Sequence, residues 1–432
     1  MATVVGVVAE TRPGERRTAL VPAAVARLVA SDFRVVAETG CGDAAGFTDL
    51  EFARVGAEIV DSGEVFRRAR VIACVTAPHR LAPVRRGQLM VGMLQPWRHP
   101  VLIDRWLRRG VTMVSLDRVP PVPEAAGLDP TTVQARITGR QAVLLAEQPF
   151  GGSFPMMTAG VVRPVRVLVL GGGVIGLQAM STARLLGADV TGYTGRVGGV
   201  AAITARGARV LRLGASLIDE DGVPREPGDQ ERLARRHLLD LRIGQFDVVI
   251  TAAGKPGSRP PRLVSAEAVV GMRPGSVIVD VAAGRYGGNV AGSRPDVAIT
   301  VRPGVRLIGA GNLPSQAAGL ASEYYADAMV TAIRRLCPDG EPLVDPADPL
   351  WSAMVLGESR RQGRRAEPVP VVSVLGESRR QGRSAEPEPA VSVLGQRRAE
   401  GLPARDPLPS EAFGPSLPVS NGPVLTGGRS RF

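Results

Sequence analysis

"VRVLVLGGGVIGLQAMSTARLLGADVTGYTGR", Val165 to Arg196, decides the fold. An apolar run, Val165–Leu170, ends in Gly171, Gly172 and Gly173, and Gly176 follows on a helical stretch. Gly171, Gly173 and Gly176 stand in G-x-G-x-x-G spacing. In that spacing the first glycine permits a tight turn, the second lets a pyrophosphate approach the backbone, and the third lets helix and strand pack closely. The phosphates then sit on free N–H groups at the helix N-terminus. Glycine spacing alone is weak. Here it follows a clean strand and precedes "VIGLQAMSTARLLGA" and a second strand, "DVTGY", the context that a dinucleotide site requires.

Where an acidic residue would grip the adenosine ribose stands Thr194. A threonine makes one hydrogen bond to the ribose but carries no charge to repel a 2′-phosphate. Arg196 lies two residues on. The sequence therefore predicts NAD as cofactor and leaves NADP open. The candidate cofactor-binding residues are Gly171, Gly173, Val174, Ile175 and Gly176 in the turn, Thr194 and Arg196 after "DVTGY", and Ala253 and Gly254 after "FDVVITA".

Before this unit, strand-like runs ("TVVGVVAE", "FRVVAETG", "RVIACVTA", "QLMVGMLQ", "VTMVSLD") alternate with helix-like ones ("PAAVARLVASD", "DLEFARVGAEIV", "HPVLIDRWLRRG"). That rhythm argues for a parallel sheet covered on both faces. After it come "FDVVITAA", "GSVIVDVAA" and "VRLIGAGN". Two longer helical stretches flank the second unit, one from Pro130 and one from Pro314. The expected fold class is α/β: two Rossmann-like, doubly wound parallel-sheet domains joined by long helices. The expected domains are 1–136, completed by 314–345, and 137–313, which binds the nucleotide.

From 346 to 432 the sequence reads as a disordered tail. "VLGESRRQGRRAEPVPVVS" from Val355 recurs from Val374 as "VLGESRRQGRSAEPEPAVS" and begins again at Val393. Each copy is rich in Pro, Gly, Glu and Arg, with too few apolar residues to offset its ordering entropy. A docking peptide built on the "VSVLG" cores is the other reading.

Across 432 residues, 44% are apolar and no apolar run is long enough to span a bilayer. The N-terminal "MATVVGVVAE" has no basic region of a signal peptide, so a cytoplasmic location is expected. The net charge is +12, carried almost wholly by arginine, with Lys255 the single lysine. No nucleic-acid motif or basic stripe interleaved with aromatics accompanies it, so no nucleic-acid partner is expected. Cys41, Cys74 and Cys337, and His79, His99 and His237, lack metal-ligand spacing. No metal site is expected.

Several stretches together resemble a known family: "ETRPGERRTALVP", "DRVP", "FPMMTAG", "VLGGGVIGLQAMSTARLLGA", "PGSVIVDVAA", "GGN" and "LIGAGNLPSQ". From about Val4 to Cys337 the chain resembles the NAD(H)-binding alpha subunit of proton-translocating nicotinamide nucleotide transhydrogenase, in its soluble, split form. More distantly it resembles alanine dehydrogenase. The resemblance implies a homodimer joined through "FPMMTAG". It also implies membrane beta-type subunits that carry NADP(H), and a peripheral place at the inner face of the cell membrane. It implies hydride passed directly between NAD(H) here and NADP(H) on the partner. The family's loop places an Arg, a Gln and an Asp at the nicotinamide. Here "VPPVPEAAGLDP" has Pro121 at the Arg position and Ala126 at the Gln position, and keeps only Asp129, the candidate catalytic residue. Asp129 also precedes Pro130 at a helix start, where an aspartate caps the helix.

Alanine dehydrogenases use an Arg, a Lys, a His and an Asp. Arg17 holds the Arg position, but Cys74 replaces the Lys, Gln95 the His, and "AAGRYGG" lacks the Asp. A proton shuttle for amine formation is therefore missing, and Arg17 reads as an ion-pair residue. The alternatives to a transhydrogenase subunit are a stand-alone NAD(P)-dependent oxidoreductase on the same fold, or a catalytically weakened nucleotide-binding relative.

Overall fold

The apolar runs become two seven-stranded sheets. β1 is Val4–Val7, β2 Arg34–Glu38, β3 Ala57–Val60, β4 Val71–Thr76, β5 Leu89–Met93 and β6 Thr112–Ser115. The second sheet holds β7 (Arg166–Leu170), β8 (Asp189–Tyr193), β9 (Arg209–Val210), β10 (Val248–Thr251), β11 (Val277–Asp280), β12 (Val297–Arg302) and β13 (Val305–Gly309). β14, Val355–Leu356, returns to the first. The orders are β14-β6-β5-β4-β1-β2-β3 and β12-β13-β11-β10-β7-β8-β9. Pairing is parallel except for β12 against β13 and β14 against β6. The fold is α/β and Rossmann-like in both lobes. This computed structural model describes residues 2–78, 83–150, 163–196, 198–215, 225, 227–255, 257–302, 304–345 and 348–357.

The helices are α1 (Pro22–Val29), α2 (Asp49–Arg54), α3 (Ser62–Arg68), α4 (Pro100–Arg108), α5 (Pro130–Glu147), α6 (Val174–Leu185), α7 (Gly199–Ala205), α8 (Asp229–Ile243), α9 (Ala266–Val270), α10 (Ala318–Leu336) and α11 (Pro349–Met354). Interior-facing strand residues such as Val5, Val71, Val91, Val169 and Ile250 are fully buried. α10 buries Tyr325, Met329 and Ile333 in the first core. α5 lies across both lobes. Leu128, just before it, packs in the first core, and Ala142, Val143 and Ala146 pack in the second.

Two expectations need correcting. "DLEFARVGAEIV" is not one helix: α2 stops at Arg54, Gly56 adopts φ +97, and Ala57–Val60 form β3. A side chain is strained at such a φ, so glycine lets the chain turn from helix to strand. The second correction concerns the start of the tail. Pro349–Met354 form α11, capped by the Asp348 carboxylate, which accepts from Leu350 N–H at 2.8 Å. Val355 and Leu356 then pair with Val114 and Met113 of β6. Trp351, Met354, Val355 and Leu356 are buried. The first "VLG" is thus built into the sheet, because Trp351 and Met354 just before it supply apolar surface that the low-complexity reading overlooked. The later copies, and the "FPMMTAG" stretch, lie outside the described residues.

Candidate nucleotide-binding site

The site forms where the second sheet changes direction, between β7 and β10. Open α/β sheets bind ligands in this crevice. Gly171, at φ +144, ends β7 against the end of β10: a Cβ on it would lie 2.7 Å from the Ala252 carbonyl oxygen. Gly176 is tighter still, with an added Cβ 1.9 Å from the Gly171 carbonyl oxygen. Gly173 is the N-cap of α6, and a Cβ there meets nothing within 4 Å. Two glycines are therefore required by the protein's own packing, while the third opens onto space. That arrangement fits a pyrophosphate lying over Gly173, with the N–H groups of Val174, Ile175 and Gly176 unused by the first helical turn.

Thr194 stands at the end of β8, half-buried beside the turn. Its hydroxyl oxygen accepts from the Arg196 N–H at 3.1 Å. A Cβ on Gly172 or Gly199 would come within 2.8 or 2.6 Å of that oxygen, so the two glycines make its room. Arg196 is exposed. Ala253 and Gly254 follow β10, and Asn289 holds this end in place. Its Oδ1 accepts from Ala253 N–H (3.0 Å), and its Nδ2 donates to the Ala253 and Pro261 carbonyls (2.8 and 2.7 Å). Asn289 is fully buried. Sequence reading saw "GGN" only as a motif and missed this role. A buried amide that satisfies two loops cannot be recognised until the loops are known to meet.

The structure thus gathers Gly171, Gly173, Val174, Ile175, Gly176, Thr194, Arg196, Ala253 and Gly254 around one crevice. Asp129 stands elsewhere, at the N-cap of α5. Its carboxylate accepts from Thr131 N–H (2.8 Å), Thr132 N–H (3.3 Å), Thr132 Oγ1 (2.6 Å) and Thr131 Oγ1. Burial opposes its charge, but these donors outweigh burial and hold it below the usual aspartate range. Gly139 of α5 abuts the α6 N-terminus: a Cβ on it would lie 2.3 Å from the Ile175 carbonyl oxygen. Asp129 is ten residues earlier, roughly 15 Å along the helix axis. Pro121 and Ala126 are exposed on the preceding loop. Arg335 of α10 pins that loop by donating to the Glu124 and Ala126 carbonyls at 2.6 and 3.3 Å.

Arg17 is fully occupied. It pairs with Glu15 (Nε–Oε1 2.7 Å, Nη2–Oε2 2.6 Å) and donates to Gln134 Oε1 of α5 at 2.8 Å. Glu15 also accepts from Ser315 Oγ and Asn312 Nδ2. Burial raises the Glu15 pKa, yet Arg17 and Ser315 together hold it below the usual range. This buried network ties the N-terminal loop to α5 and to the approach to α10. It is the ion-pair role expected for Arg17. Cys74 is buried on β4, where its carbonyl accepts from Tyr325 Oη at 2.8 Å. Gln95 sits at φ +45, its N–H donating to Asp117 at 2.9 Å. Neither position offers a lysine or histidine proton. Glu10 lies at the first sheet's own change of direction, beyond β1. It accepts from Val75 N–H and, at 2.7 Å, from Thr76 Oγ1. Burial, reinforced by Glu15, pushes its carboxyl up to about 7 against the pull of the Thr76 and Val75 donors. Among the described residues, no cluster of His, Cys, Asp or Glu is placed to hold a metal, and no helix is long and apolar enough to cross a membrane.

Two Rossmann-like lobes, a glycine turn at one switch point and a capped helix spanning both lobes define a class, the two-lobed nicotinamide-nucleotide oxidoreductases. Residues 6–138 match the N-terminal domain of alanine dehydrogenase/PNT, and residues 141–359 match its C-terminal domain. The chain belongs to this alanine dehydrogenase/PNT family. It is 31% identical over 338 residues to the first segment of NAD(P) transhydrogenase subunit alpha of Rickettsia prowazekii (strain Madrid E), covering 76% of this chain and 88% of that one. It is 30% identical over 290 residues to alanine dehydrogenase of Bacillus subtilis (strain 168), covering 65% and 70%. The crystal structure of transhydrogenase from Sinorhizobium meliloti superposes with a TM-score of 0.72 at 31% identity, over 82% of this chain and 98% of that one.

Proposed function

We propose that the chain binds a nicotinamide dinucleotide across the Gly171–Gly176 turn and, as a transhydrogenase alpha-type subunit, exchanges hydride with a nucleotide held by a partner. The observation that carries this reading is the open space over Gly173 in a turn whose other two glycines are fixed by packing. The bound dinucleotide would supply the hydride. The protein's part is to hold the pyrophosphate at α6, seat the adenosine ribose near Thr194 and carry the other half over the ends of β10 and β11. NAD(H) is the expected ligand. The uncharged Thr194 leaves NADP(H) as a second one. The partner of this reading is a membrane beta-type subunit, with a homodimeric chain at the cytoplasmic face. The relatives' names support the partner, and the resemblance of "FPMMTAG" supports the dimer.

One observation favours a second reading, a catalytically weakened relative. Pro121 and Ala126 stand where the resemblance places the Arg and Gln of the nicotinamide loop, and Asp129 spends its oxygens on its own helix cap. Each missing polar bond is worth roughly 1–3 kcal/mol, so the pair could remove one to several powers of ten in rate. Single-turnover hydride transfer in a complex reconstituted with beta-type subunits separates the readings. Slow transfer that rises in a Pro121→Arg, Ala126→Gln variant supports the subunit. Binding of NADH without transfer, in both proteins, supports the weakened relative.

A further inference from the structure

The bend that leaves β10 at the nucleotide crevice meets the first lobe at Trp97. Gly257 adopts φ +79, and a Cβ on it would lie 3.0 Å from Trp97 Cγ and 3.2 Å from Trp97 Cδ1. A side chain is strained at such a φ and would crowd the indole, so glycine permits both the bend and the approach. Both partners are held. Ser258 closes the bend, its N–H and hydroxyl donating to the Lys255 carbonyl at 3.1 and 2.8 Å. Asn289 fixes the root of the bend, accepting from Ala253 N–H at 3.0 Å. On the other side, Trp97 follows β5 in a turn where the Arg98 N–H donates to the Gln95 carbonyl at 2.8 Å and the Gln95 N–H donates to Asp117. Of the three tryptophans, Trp106 and Trp351 are buried in the first lobe. Trp97 keeps part of its surface open and lies outside the cores of both lobes, so core packing does not account for it.

We propose that Trp97 is the first lobe's contact with the nicotinamide ring, and that its indole selects the oxidised form of the cofactor. The inference rests on the dinucleotide reading above, which carries the nicotinamide half over the ends of β10 and β11, beside the Gly257 bend. An oxidised nicotinamide is a planar aromatic cation, and the reduced ring is neutral. Both stack on an indole, but only the oxidised ring gains the attraction between a cation and the electron-rich ring face, which is strongest for tryptophan. Lys255 and Arg98 flank the contact. Their charges are the same in parent and Trp97 variants, so they do not enter the comparison between variants. Trp97 thereby biases the direction in which hydride leaves or enters the site.

The test is calorimetric titration of the full chain with NAD+ and separately with NADH, in the parent, Trp97→Leu, Trp97→Phe and Gly173→Val. The expected result is NAD+ binding weakened roughly three- to thirtyfold in Trp97→Leu, with a smaller loss for NADH. Trp97→Phe should recover part of the NAD+ affinity, because a phenyl face holds a cation less strongly than an indole. Trp97 lies outside both cores, so the two Trp97 variants should melt with the parent. Equal weakening of NAD+ and NADH overturns the proposal, since a side chain that only props the Gly257 bend would affect both alike. Unchanged affinity for both in Trp97→Leu, with binding lost in Gly173→Val, overturns it while leaving the dinucleotide reading in place. Binding that survives Gly173→Val, or that the parent itself lacks, overturns both.

Discussion

Gly176 stands so close to Gly171 that a methyl group on it would lie 1.9 Å from the Gly171 carbonyl oxygen, whereas a methyl on Gly173 would touch nothing. The two positions should therefore respond oppositely. Gly176→Ala must push α6 off β7, a cost of roughly 3 kcal/mol at the upper end of overpacking. Thermal melting should show a drop of several degrees in Gly176→Ala and none in Gly173→Ala. Equal melting temperatures would mean that helix and strand are not seated as described.

The proposed seating of the adenosine ribose near Thr194 predicts that this residue governs the nucleotide preference. Thr194→Asp restores a charged acceptor for the ribose hydroxyls, and Gly172 and Gly199 leave room for it. NADH should bind more tightly by about 1–2 kcal/mol and NADPH more weakly. Competition titrations of the two nucleotides check this. Unchanged affinities would place the ribose elsewhere.

The return of the chain to the first sheet predicts where it can be cut. Ending after Asp345 removes buried Trp351, Met354, Val355 and Leu356. Each such side chain contributes about 1.5–3 kcal/mol by burial, partly offset by the entropy of ordering the segment. A chain ending after Asp345 should melt several degrees below the full chain. One ending after Gly357 should match it. If both truncations melt with the full chain, β14 adds nothing to stability.

Glu10 gives stability a pH dependence. Its folded-state pKa, pushed up to about 7 from 4.5, means that the folded chain holds this proton more tightly than the unfolded one. The resulting stabilisation is complete below about pH 4.5 and is lost as pH rises through about 7, at most about 3 kcal/mol. Melting of the parent relative to Glu10→Gln should therefore fall between pH 5 and pH 8. A constant difference across that range would show that Glu10 is ionised throughout.

Much of this was legible in the sequence, and what was not had a common cause. Val165–Gly176 announces itself because strand, turn and helix signals are adjacent in the chain. α5 and α10 are legible from their length, α5 also from Pro130 at its first position and α10 from Pro314 in the 3-10 turn Leu313–Ala317 that leads into it. Arg17 was legible as an ion-pair residue, but Asn289, Arg335 and Gln134, which accepts from the Arg17 guanidinium across 117 residues, were not. Each acts on partners tens to hundreds of residues away, and nothing local distinguishes a stitching amide from a surface one. β14 was hidden for a different reason. Its two apolar residues open a repeat whose later copies are preceded by Pro370 and Ser373 and by Pro389 and Ser392, where the first is preceded by Trp351 and Met354, so composition averaged over the repeat masked the one copy that has buried anchors.

The central claim is that a nicotinamide dinucleotide lies over Gly173. A side chain at that position leaves the protein's own packing untouched and fills the phosphate's space. The direct measurement is a calorimetric titration of the full chain and of Gly173→Val with NADH, with melting temperatures recorded alongside. The expected result is saturable binding to the parent and its loss in a variant that melts at the same temperature. NADH binding of equal affinity in both proteins would contradict the claim.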